Sequence, residues 1–112
     1  PVVTLGTPLS DAILEISAKS LGMTTVVDKD QKLKGIFTDG DLRRAFVNNV
    51  DIHNTIIDEI MSKNPKTISP DQLASVALGI MEDSHITSLV VTDHQTLVGV
   101  IHLHQILDTG IR

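Results

Sequence analysis

The stretch Gly35-Ile36-Phe37-Thr38-Asp39-Gly40-Asp41-Leu42-Arg43-Arg44 decides the fold. It begins as an apolar strand and runs directly into a segment with acids at its start and bases further along, the charge order that complements a helix dipole. Sixty-four positions after Gly35, Gly99 opens a second, degraded copy. A strand-to-helix junction repeated within one short chain points to a duplicated unit. Only the first copy keeps a hydroxyl and a carboxylate at the junction. The first half is therefore expected to grip a small ligand, and the second to be structural.

Sliding the chain on itself without a gap extends the match. Leu9 falls on Leu73, Leu14 on Leu78, Ile16 on Ile80, Val26-Val27 on Val90-Val91, and Leu33 on Leu97. These positions are mostly apolar, so the halves share a core pattern more than a surface.

Local signals give each half the order strand, helix, strand, strand, helix. Thr7-Pro8 is a helix start, a capping hydroxyl followed by proline at the first helical position. Leu9, Ile13, Ile16 and Leu21 recur near helical spacing, and Gly22 suits the left-handed residue after the last turn. Met23 to Val27 and Leu33 to Thr38 read as strands around a polar turn, and Asp39 to Asn48 as a helix. Between 49 and 64, Ile56, Ile57, Ile60 and Met61 predict a short packed helix rather than a loose linker. In the second half Thr67-Ile68 is a strand and Ser69-Pro70 caps a helix to about Asp83. Strands follow at Ile86–Thr92 and Leu97–His102, and a last helix runs to Gly110. The expected divisions are residues 1–48, a connector 49–64, and 65–112.

Composition narrows the function. The 112 residues carry 9 basic and 14 acidic side chains, a net charge of −5, with no basic cluster beyond Arg43-Arg44. That surface offers no track for a nucleic-acid backbone. No apolar run approaches the roughly 20 residues of a membrane span, so neither nucleic acid nor membrane is an expected partner. Cysteine is absent, which removes disulfides and thiolate zinc sites. The five histidines include His102 and His104, and no metal-binding spacing accompanies them. No metal or cofactor is expected. The first residue is Pro1 and Val2-Val3 already has strand character, so the chain is expected to be a piece of a longer protein with its chemistry elsewhere; a cytoplasmic location is also expected. Ser84-His85 is no nucleophile–base pair, because adjacent residues rarely face one another.

Thr38 and Asp41 end a strand and fill the first turn of a helix, where backbone N–H groups point outward beside a positive dipole end. A threonine there can donate to a phosphate, and an aspartate can accept from vicinal ribose hydroxyls. The same two residues also suit plain helix capping. Sequence chemistry leaves both readings open.

A repeated strand-helix-strand-strand-helix unit whose third strand runs into Gly-apolar-apolar-Thr-x-x-Asp resembles the cystathionine-β-synthase (CBS) domain, found as tandem pairs. The resemblance covers essentially the whole chain. It implies an α/β fold of two β-α-β-β-α motifs packed with pseudo-twofold symmetry. It also implies that Thr38 and Asp41 meet the phosphate and ribose of a nucleotide. The partner repeat would complete the pocket with Lys66, Thr67 and Ile68 from its opening strand and His85 and Thr87 from its second. In the second copy His102 and Gln105 stand at the Thr38 and Asp41 positions. Glutamine cannot supply two charge-assisted acceptors as a carboxylate does.

A narrower likeness rests on the same ten-residue string, on His85-Ile86-Thr87-Ser88, and on Gly99-Val100-Ile101-His102-Leu103-His104 ahead of Gly110-Ile111. Together these resemble the tail of arabinose-5-phosphate isomerases, two-part enzymes in which a sugar-isomerase domain precedes a CBS pair. That likeness implies a parent interconverting ribulose 5-phosphate and arabinose 5-phosphate on the route to Kdo and lipopolysaccharide. This piece would be non-catalytic and a homodimer, within a larger homo-oligomer in the parent. The ligand would be a nucleotide-sugar such as cytidylyl-activated Kdo, or an adenine nucleotide as is usual for the family. The alternatives are a module serving only subunit association, or an adenine-nucleotide sensor of a different parent protein.

Overall fold

The computed structural model describes residues 2–19, 22–72, 74–84, 86 and 88–103. The chain divides into two compact units, Pro1–Pro65 and Lys66–Arg112, each a mixed α/β assembly on a three-stranded sheet.

In the first unit β1 (Val2–Thr4) pairs parallel with β2 (Met23–Val27), and β2 pairs antiparallel with β3 (Leu33–Thr38). Helix α1 (Leu9–Lys19) supplies the crossover that two parallel strands require. The central strand β2 is buried along its whole length, as its Met-Thr-Thr-Val-Val composition suits. Helix α2 (Asp39–Val47) follows β3 with no intervening loop. Leu9, Ala12 and Ile16 of α1 meet Val26, Phe37, Ala45 and Ile57 in the core.

Ile57 belongs to the connector, which is structural rather than loose. Two N–H groups at the start of α1, those of Leu9 and Ser10, donate to connector carbonyls Thr55 O (2.8 Å) and Ile52 O (3.0 Å). Ile57 N–H returns a bond to Thr7 O at 2.8 Å. The Thr7 hydroxyl, expected to cap α1, instead donates to Thr4 O at 2.8 Å. Backbone carbonyls from the connector already serve the N–H groups that a side-chain cap would have taken. The connector's expected helix is a single 3-10 turn, Ile57–Glu59. Beyond it, Ser62 pairs with Ile36 through reciprocal backbone bonds of 2.9 and 2.8 Å, one further residue added to the edge of β3.

The second unit repeats the order: β4 (Thr67–Ile68) parallel to β5 (Ser88–Asp93), and β5 antiparallel to β6 (Thr96–His102), with α3 (Ala74–Ser84) as the crossover. Its core is Ile68, Ala77, Leu78, Met81, Leu89 and Val91. The last helix, expected to run to Gly110, falls beyond residue 103, outside the described residues. Ser69-Pro70 does not sit at the start of α3 as expected. The Ser69 hydroxyl donates to Asp71 Oδ1 (2.6 Å) and Gln72 Oε1 (3.2 Å), closing a local turn ahead of a helix described from Ala74.

The two units match at a spacing of sixty-five residues up to the second hairpin and sixty-four after it. Helix α1 spans Leu9–Lys19 and α3 spans Ala74–Ser84. Ala12 and Ile16, 0% and 3% exposed, therefore correspond to Ala77 and Met81, 0% and 1%, and the ungapped partners Val76 and Ile80 do not fit as well. Leu14 is 67% exposed whereas its ungapped partner Leu78 is 7%. The cause is a hairpin turn one residue shorter in the second unit. The first turn joins Val27 to its partner Leu33 and holds Gln31 at φ 64°. The second joins Asp93 to its partner Thr96 through His94 and Gln95, both left-handed at φ 49° and 71°. Two consecutive left-handed residues are the mark of a tight two-residue hairpin.

Candidate ligand-binding site

Thr38 is the last residue of β3 and the N-cap of α2, with extended backbone at φ −114°, ψ 170°. Its hydroxyl accepts from Asp41 N–H at 3.2 Å and donates to Asp41 Oδ2 at 3.1 Å. Asp41 Oδ2 also accepts from Thr38 N–H at 2.9 Å. The pair is thus a reciprocal capping box, with aspartate in the place usually held by glutamate. The strand-to-helix transition needs no loop because these two residues satisfy one another's backbone donors.

Two further groups reach the carboxylate. Arg44, one turn along α2, donates to Oδ1. Ser62 Oγ, twenty-one residues away in sequence, lies 2.9 Å from Oδ1 and 3.1 Å from Oδ2. Asp41 is only 4% exposed, so this is a buried charge whose acceptor positions are all engaged. The Arg44 side chain is 67% exposed, and the ion pair therefore adds little to stability by itself. A cavity of about 200 Å³ borders Asp41, Arg44, Asn48 and Glu59. It is smaller than the roughly 300–1,000 Å³ typical of small-molecule pockets.

The other expected site residues fall in the second unit. Lys66 and Thr67 are exposed at the start of β4, and Ile68 is buried in that unit's core. His85, Thr87 and Gln105 lie outside the described residues, and His102 ends β6. The structure therefore joins Thr38 to Asp41 and adds a residue that sequence reasoning missed, Ser62. No local pattern marks Ser62, because its role depends on the connector returning to β3. Gly35 permits that return: a Cβ there would lie 2.7 Å from Met61 Sδ and 2.8 Å from Ser62 O. At Gly99, its counterpart, a Cβ would meet nothing within 4 Å. Among the described residues, no three His, Asp or Glu side chains are grouped to hold a metal ion.

The CBS domain family matches residues 1–48 and 57–111. Arabinose 5-phosphate isomerase KdsD of Yersinia pestis is 45% identical over 111 residues, 99% of this chain and 34% of that protein. The Pseudomonas aeruginosa enzyme of the same name is 46% identical over 112 residues, with the same coverage. The chain thus spans about a third of the length of these curated relatives. Among solved structures, the CBS domain protein PAE2072 of Pyrobaculum aerophilum, complexed with AMP, superposes with a TM-score of 0.84 at 19% identity, covering 92% of this chain and 79% of that one.

Proposed function

The chain belongs to the CBS domain family, and from that premise we propose that it is the regulatory pair of a longer sugar-phosphate isomerase, binding a nucleotide or nucleotide-sugar at the β3–α2 junction. The observation that carries the ligand reading is the Thr38–Asp41 pair, a hydroxyl and a carboxylate held together at a helix N-terminus. In this reading Thr38 and the adjoining N–H groups face the phosphate and Asp41 takes the sugar hydroxyls. The same reading assigns Lys66, Thr67, Ile68, His85 and Thr87 of the second motif to ligand binding. The motifs are residues 1–48 and 65–112, joined by 49–64. Identity with arabinose 5-phosphate isomerases across 99% of the chain supports a parent that interconverts arabinose 5-phosphate and ribulose 5-phosphate. The AMP complex of a protein with the same fold supports a nucleotide as the ligand class.

Calorimetry with AMP, CMP and CMP-linked sugars tests the site. Asp41→Ala is expected to weaken binding about 10- to 150-fold, the loss of charge-assisted hydrogen bonds, whereas Gln105→Ala changes it little. Tight binding unchanged in Asp41→Ala would reject the site.

A second reading, subunit association alone, is favoured by two facts. The Asp41 carboxylate is already engaged within its own unit, and Leu14, Phe46 and Val47 expose large apolar side chains on α1 and α2. Under that reading no nucleotide raises the melting temperature of the purified chain. The two roles are compatible, and a homodimer is proposed under both.

A further inference from the structure

Resting on the nucleotide site proposed above, we propose that Ser62 is a built-in competitor for the ligand's sugar hydroxyls at Asp41, and so sets the affinity of the site from the connector. An ionised carboxylate has about four lone-pair positions. Here they face four donors: Thr38 N–H, Thr38 Oγ, Arg44 Nη2 and Ser62 Oγ. A sugar diol can bind Asp41 only if donors leave.

The four differ in how readily they can go. The Thr38 N–H is fixed by the N-cap backbone, and the Thr38 hydroxyl is held by accepting from Asp41 N–H. Arg44 carries a side chain 67% exposed and can swing into water. Ser62 is held by its main chain, paired both ways with Ile36 at 2.9 and 2.8 Å. Its hydroxyl oxygen lies 2.9 and 3.1 Å from the two carboxylate oxygens, and its single hydrogen serves both. One hydrogen shared between two acceptors makes a weaker bond than one aimed at a single acceptor. It nevertheless occupies both oxygens on the side from which Ser62 approaches. The hydroxyl can turn away about χ1, but the backbone cannot retreat while the pairing with Ile36 holds. Ligand entry at Asp41 therefore has to break the contact by which the connector touches α2 through Ser62. Occupancy of the site and attachment of the connector are coupled through one hydroxyl.

Binding of AMP and CMP, each beside its 2′,3′-dideoxy analogue, to wild type, Ser62→Ala and Ser62→Thr tests this. Ser62→Ala is expected to bind the ribonucleotides about 3- to 10-fold more tightly, the gain from removing one competing hydrogen bond. Its melting temperature should nonetheless fall, and affinity for the dideoxy analogues should not change. Ser62→Thr keeps the hydroxyl and should restore wild-type affinity. Ribonucleotide affinity that is unchanged or weaker in Ser62→Ala overturns this inference and leaves the proposed site standing. An equal gain for the dideoxy analogues overturns it as well, since competition at the diol would not produce one. Failure of all three proteins to bind any of these nucleotides removes the proposed site and this inference together.

Discussion

At the scale of single residues, Asp41 is a stability element as well as a ligand candidate. Removing its carboxylate deletes the acceptor of the capping box and leaves the Thr38 N–H and Ser62 Oγ without their partner. Asp41→Ala is expected to lower stability by about 1–3 kcal/mol, more than a simple cap, because partly buried donors lose their acceptor. Urea unfolding measures this without any ligand. Half of this arrangement was legible in the sequence. Thr38 and Asp41 are three residues apart, so local spacing alone brings a hydroxyl to a carboxylate and predicts the cap. Ser62 was not legible, because what places it is a tertiary return of the chain. Three acids elsewhere contribute to the response to pH. Asp28 is held below its ordinary value by the Lys32 N–H, Asp51 by the Asn54 side chain, and Asp71 by the Ser69 hydroxyl. Each folded-state pKa lies below the unfolded 3.8, so on acidification the unfolded chain takes up these protons first. Their contribution is present above that value and is lost as pH falls through the depressed ones. Through these three groups, melting temperature should fall below about pH 4. A triple variant with asparagine at 28, 51 and 71 should show a shallower fall.

At the scale of elements, the first unit depends on its connector. The start of α1, the core residue Ile57 and the edge of β3 all draw on residues 52–62. Ile57 is fully buried, and Ile57→Ala should cost about 2–5 kcal/mol. The two repeat glycines give a sharper contrast. Gly35→Ala places a methyl against Met61 and a backbone carbonyl. The methionine can give way, but the Ser62 carbonyl is tied to Ile36, so a cost of about 1–3 kcal/mol is expected. Gly99→Ala meets nothing within 4 Å and should be neutral, or stabilising by up to about 1 kcal/mol. Equal effects of the two substitutions on the melting temperature would contradict this account of the connector. Strand and helix order was readable from apolar patterning and turn residues, but the repeat register was not. Leu73-Ala74, Val76-Ala77 and Ile80-Met81 are adjacent apolar pairs, so a shift of one residue leaves the apolar pattern almost as good. What settles the register is a turn of two left-handed residues, His94-Gln95, neither of which is the glycine that would have announced it.

At the scale of the whole molecule, the open question is what covers the apolar surface. Apolar residues recur at helical spacing at Ile56 and Ile60 and again at Val76 and Ile80. Of these, Ile56 and Val76 are exposed, at 39% and 42%, while Ile60 and Ile80 are half-buried. Larger exposure occurs at Leu14 on α1 and at Phe46 and Val47 on α2, at 67%, 59% and 74%. Phe46 is one of only two aromatic residues in the chain, and the other, Phe37, is fully buried. Leaving an aromatic and a valine side by side in water at a helix end forgoes about 25 cal/mol for each Å² of apolar surface that association would cover. The purified chain is therefore expected to be a dimer by light scattering at tens of micromolar, and Phe46→Glu with Val47→Glu should shift it toward monomer. A monomeric wild-type mass at that concentration would remove association from the proposed function. The same helix bears Asp41 in its first turn and Phe46 and Val47 in its last. If nucleotide binding moves α2, it must also change dimer affinity, and linkage requires the reverse effect to be equal. Nucleotide affinity measured across a dilution series spanning the monomer–dimer transition tests this directly. A change by the same factor as the nucleotide-induced change in dimerisation would mean that sensing and association are one equilibrium. Affinity independent of dilution would mean that the two roles share a helix without sharing energy.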